Sequence, residues 1–128
     1  MVLVFLALYA MLYYNVYMDI KNTITLLPLS QQVALWVILR MRDSHKRSFR
    51  FPSSDFAKAF YPYVISYLST NPEEYGKFVG ATLSSLMRNQ ILIRLTGDRD
   101  KLWTLSEKVK DNFDEFKKYL FELEVYWK

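Results

Sequence analysis

NPEEYGKFVGATLSSLMRNQILIRLTGDRDKLWTLSE, residues 71–107, passes from a helical repeat to an alternating one and back within a single stretch. Asn71 suits a helix cap and Pro72 the first helical position, while Glu73 and Glu74 place negative charge in the first turn. Tyr75, Val79, Leu83 and Leu86 then recur at helical spacing, with Phe78 on their shoulder, and this face should be buried. The opposite face carries Lys77, Ala81, Ser84 and Arg88, flanked by Gly80 and Ser85. A basic residue near each end with small residues between them lets a helix come close to a surface such as a DNA groove. The same pattern also describes an ordinary solvated face.

Alternation takes over after Arg88. Ile91, Ile93 and Leu95 are expected on one side of a strand, and Trp103 and Leu105 on the next. Between the strands, Thr96-Gly97-Asp98-Arg99-Asp100-Lys101 has the Gly and Asp content of a hairpin turn. Arg99 and Lys101 at its tip could meet a phosphate backbone or simply keep the hairpin soluble.

At 128 residues the chain has room for one core and not for two. Its 17% aromatic content points to a core shared with another subunit or to an apolar surface that needs a partner. Without cysteine it can form neither disulfides nor thiolate metal sites, and it has no cysteine nucleophile. The segment RMRDSHKRSFR, residues 40–50, holds five Lys or Arg against one Asp, an excess equal to the whole net charge of +4. Positive charge is therefore one local patch, suited to nucleic acid or an anionic membrane.

Residues 1–18, MVLVFLALYAMLYYNVYM, carry no charged side chain and are apolar around the whole helical circumference. Three readings compete: a short transmembrane anchor with an interfacial tyrosine belt, a cleaved leader, and a helix buried between subunits. The leader lacks a basic start and a small-residue cleavage site, and the buried interface is expected ahead of the anchor. Asp19 to Leu29 reads as a connection, after which Ser30 should cap a helix over SQQVALWVILRMRD with Val33, Trp36, Val37 and Leu39 or Arg40 marking a broad buried face. Ser48 to Phe51 alternates like a short strand ending at Pro52, and Ser53 or Ser54 should cap the next helix. Pro62 predicts a break or kink near Tyr61 and a second short helical piece, PYVISYLS, running up to Asn71. From Ser106 onward one long helix is expected, with a heptad-like seam of Val109, Phe113, Phe116, Leu120, Leu123 and Trp127.

This order, helix, short strand, helix, helix, strand, wing, strand, helix, resembles the winged helix-turn-helix family, in particular the MarR-like regulators, including small versions from archaea and their viruses. FVGATLSSLMRNQILIRL resembles the family's recognition helix running into the first wing strand, and GDRDKLWTLSEKV its wing and return strand, with Val109 where the family usually has Gly. LLPLSQQVALWVILRMR resembles the helix that leads into the domain. The fold expected is mainly α with a small β-hairpin wing: an N-terminal helix over residues 1–22, a winged-helix domain over 27–107 and a dimerising C-terminal helix over 108–128.

The likeness implies a cytoplasmic, dimeric transcriptional regulator that binds double-stranded DNA, with no cofactor. Lys77, Gly80, Ala81, Ser84, Ser85 and Arg88 would face the major groove, and Arg99 and Lys101 the flanking backbone. Lys46, Arg47 and Arg50 would hold phosphates. Phe113, Phe116, Leu120, Leu123 and Trp127 would line the dimer interface. Against this stands a second class of reading, a winged helix used as a protein interaction module and held at a membrane by residues 1–18. Enzymatic chemistry is not expected: His45 is the only histidine, no phosphate-binding loop follows Gly76 or Gly80, and the adjacent acidic pairs read as helix starts and solvated faces.

Overall fold

The computed structural model describes residues 2–43, 49–65, 72–95 and 101–127, excluding the side chains of 16, 43, 72 and 124–127. Among the described residues six helices and three short strands follow in the order α1 (Val2–Thr25), α2 (Leu29–Asp43), β1 (Phe51–Pro52), α3 (Ser53–Val64), α4 (Pro72–Arg88), β2 (Leu92–Leu95), β3 (Leu102–Leu105), α5 (Glu107–Asp111) and α6 (Phe113–Trp127). The chain is mainly helical, with one small antiparallel sheet in the order β1-β3-β2. Phe51 pairs with Trp103, and Arg94 faces Trp103 from the other side.

At the centre lies α2. Ala34 through Leu39 are all buried, because α3, α4 and α6 each pack against this helix. Its apolar face is thus wider than Val33, Trp36, Val37 and Leu39 alone foretold. From it an aromatic run extends through the domain: Phe49, Phe51, Phe56, Phe60 and Phe78 follow one another with ring centroids 4.9–6.3 Å apart. Much of the aromatic content that suggested a shared core is therefore packed inside this chain.

Several boundaries depart from expectation. α1 does not end before Asp19 but continues to Thr25, since Ile20, Ile24 and Leu27 keep the helical spacing and are buried. The Gln32 side chain closes this end by donating to the carbonyls of Ile24 and Leu27 at 3.1 and 3.0 Å. Ser30 is no cap, because α2 already starts at Leu29 and the Pro28 carbonyl accepts from the Gln31 and Gln32 amides. Neither Ser53 nor Ser54 caps α3: Pro52 holds that position without a side-chain bond, and the Ser53 hydroxyl accepts from Trp103 Nε1 at 2.8 Å. Pro62 does not break α3 either, which runs on to Val64. The C-terminal segment is two helices, not one, because Asn112 leaves helical geometry at φ −121°, ψ 33°, and its side-chain Nδ2 donates to the Lys108 carbonyl. The expected cap at Asn71, the strand start at Ser48 and the expected helical piece from residue 66 on lie outside the described residues, and the first residues of that piece, 62–64, belong to α3.

Candidate nucleic-acid interface

α4 is fixed from three sides. Val79, Thr82, Leu83 and Leu86 are buried, and the Thr82 hydroxyl turns back to the Phe78 carbonyl at 2.8 Å, which lets a polar side chain sit in the core without an orphaned donor. Tyr75 joins α4 to α3 by donating to the Ala57 carbonyl, with its ring edge-on to Tyr61 at 5.2 Å. Burial, and secondarily the neighbouring Tyr61 phenol, push the Tyr75 hydroxyl up to about 12. Asn89 ties the far end to α2 through Gln31 at 3.3 Å.

The end of α4 also sets the phase of the sheet. Gln90 has φ 62°, its amide donates to Met87, and the Ile91 amide donates to Leu86, an arrangement that satisfies the last helical carbonyls. Ile91 and Leu86, both with no exposed surface, complete the apolar contact of this cap. Because Ile91 is spent on the cap, the strand starts at Leu92. Leu92 is buried while Ile93 is 42% exposed, the reverse of the expected register for Ile93.

The outward face of α4 matches the sequence pattern. Lys77, Gly80, Ala81 and Arg88 are exposed, and Ser84 and Ser85 are half-buried. Around Gly76 and Gly80 the space is open: a Cβ on either would meet nothing within 4 Å. The helix backbone is thus accessible along this side. Beyond the cap, Arg94 on β2 and Lys101 beside β3 are exposed. The Ser53 amide donates to the Lys101 carbonyl at 3.2 Å, so the root of the hairpin is tied to the start of α3.

Arg94 was not singled out from the sequence, although an arginine inside an otherwise apolar strand was the available signal. Lys58, exposed on α3, was missed as well. Of the basic patch, Arg50 is exposed between the buried Phe49 and Phe51. Arg40 lies over the Trp36 ring at 4.7 Å and Arg42 over Phe113 at 3.9 Å, which holds both guanidinium groups against the domain. His45, Lys46, Arg47 and Arg99 lie outside the described residues.

The seam on α6 already has an occupant within the chain. Phe116 and Leu120 are fully buried in its own core, and Phe113 and Leu123 pack on that core from the edge; the Trp127 side chain is not described. One open cavity of about 220 Å³ lies between α2 and α3, lined by Trp36, Val37, Arg40, Met41, Ala59 and Tyr63. Comparison with known proteins finds no matching family model, no matching curated protein and no matching solved structure.

Proposed function

We propose that this chain is a winged-helix protein that binds double-stranded DNA, with α4 as the helix that enters the major groove, and that it acts as a transcriptional regulator. One observation carries the reading. α4, with an open small-residue face between Lys77 and Arg88, runs through a closed cap into an antiparallel hairpin that bears Arg94 and Lys101. The helix order before that hairpin and the strand order β1-β3-β2 are compatible with a winged helix and support this reading. Phosphate contacts from Arg50, Arg94 and Lys101 would supply salt-dependent affinity, with Lys46, Arg47 and Arg99 as further donors. Ser84, Ser85 and the exposed Gly80–Ala81 backbone would sit nearest the bases. A homodimer would match a two-fold symmetric site, and among the described side chains of α6 Phe121, 66% exposed, is the large apolar one left for a second copy.

The protein-interaction reading keeps one specific support. Glu73 and Glu74 are exposed in the first turn of α4, where a groove-binding helix meets phosphates, and carboxylates there repel DNA. Fluorescence anisotropy with labelled random duplex, titrated across salt, separates the two. DNA binding predicts micromolar or tighter affinity that weakens steeply with salt, and loses most of its strength when Arg88 and Arg94 become Glu. Absence of binding at low salt would leave α4 to a protein partner.

A further inference from the structure

We propose that the free part of α1 is inserted in a lipid bilayer, so that the domain is mounted on the membrane by a continuous helix. The helix has two parts. From Ile20 on it belongs to the domain: Ile20 and Ile24 are buried, Asp19 and Lys108 form an ion pair at 3.1 Å, and Lys108 also donates to the Thr23 hydroxyl at 3.1 Å. Tyr119 holds it from α6, with its hydroxyl 3.3 Å from that of Thr25 and its ring edge-on to Tyr17. Before that point no described side chain of α1 is buried, and there is no charge until Asp19.

What covers the free part is decided by its circumference. Leu3, Val4, Phe5 and Leu6 are successive, point in four directions about the helix, and are 81, 62, 71 and 59% exposed. A second helix covers a stripe of about 100° and leaves the remaining apolar sides in water. A bilayer covers all of them. By length and composition α1 can cross a membrane. The charge-free run Val2–Met18 extends about 26 Å at 1.5 Å per residue, close to the hydrocarbon thickness of about 30 Å. Tyr9, Tyr13 and Tyr17 form one line toward the domain, with Tyr14 beside them, where amphipathic rings settle at a headgroup boundary. Lys21, exposed, follows at the helix base, placed for anionic headgroups. Since helical hydrogen bonding continues from the apolar run into the buried Ile20 and Ile24, the mount is stiff rather than a loose tether.

The absence of native cysteine makes a direct test possible in the full chain. Single variants Leu3→Cys, Val4→Cys, Phe5→Cys, Leu6→Cys and, on α5, Lys110→Cys are labelled with an environment-sensitive dye. Each is transferred from detergent into vesicles of three parts phosphatidylcholine to one part phosphatidylglycerol. The expected result is a blue shift at all four α1 positions, quenched by lipid-borne spin labels, with no shift at Lys110. Two outcomes overturn the proposal: shielding at only one or two of the four positions, which marks a helix of a second copy, or protein that stays out of the vesicles. Because the readout is independent of DNA, either proposal can fail while the other stands.

Discussion

Gln90 is the one described non-glycine residue with positive φ, and it stands at the cap where glycine is the usual choice. A Cβ in this conformation costs about 1–2 kcal/mol, part of which Gln90→Gly should recover. The variant is expected to be stabilised by about 0.5–1 kcal/mol, seen as a higher urea midpoint with unchanged slope; a lower midpoint would mean that the Gln90 side chain contributes contacts that outweigh the strain. Tyr75 carries a pH-dependent share of stability. Its folded pKa of about 12 lies above the ordinary 10.0, so the protonated form is favoured by folding, and its contribution is whole below pH 10 and lost as pH rises toward 12. Tyr75→Phe should therefore be less stable than the parent at pH 9, with the gap narrowing at pH 11. A gap of constant size would remove the titration from the account. Phe60, fully buried between Phe56 and Phe78, is the residue whose loss should be felt most: Phe60→Ala is expected to cost about 3–5 kcal/mol in chemical denaturation.

For single elements, α4 allows fold and function to be varied separately. Gly80 lies in the helix interior with open space around it, so Gly80→Ala should stabilise the protein by up to about 1 kcal/mol. Gly80→Leu should fold as well yet lower duplex affinity roughly tenfold or more, about 1.4 kcal/mol, if this face lies against DNA. Equal affinity for both variants in anisotropy would take α4 out of the groove. This helix was also the most legible element, because Val79, Leu83 and Leu86 repeat at one period long enough to identify a buried face. Legibility failed where a residue had two uses. Ile91 fitted a strand by alternation, but it stands in the helix cap, and Ile93 two residues on faces outward. Ser53 looked like a cap, but the buried indole of Trp103 needed an acceptor, a long-range demand invisible in local sequence. Ile20 and Ile24 continued a helix whose neighbouring Asp19 and Lys21 gave it the look of a loop. On the candidate surface, Lys77 and Arg88 followed from helical spacing, whereas Arg94 needed the register of the hairpin.

In the molecule as a whole, α1 is both a core element and a surface the domain does not cover, and the two roles divide by position along one helix. Residues 2–14 contribute only exposed side chains, whereas Ile20 and Ile24 are 1% and 0% exposed and pack into the same core as α2 and α6. Truncation should therefore have a sharp boundary. A chain lacking residues 1–14 keeps every described buried side chain, and its urea midpoint should stay within about 0.5 kcal/mol of the parent while its need for detergent or lipid falls away. A chain lacking residues 1–25 loses two isoleucines worth about 1.5–3 kcal/mol each, together with the Asp19–Lys108 pair and the Thr25 contact to Tyr119. It also uncovers the apolar side of α6 that α1 protects, so circular dichroism should show a lower and broader melt, with aggregation. Unfolding already on removal of residues 1–14 would show instead that the free part of α1 supports the domain through a second copy. That outcome would favour the subunit interface over the bilayer, because lipid contact adds nothing to the fold of the lipid-free domain.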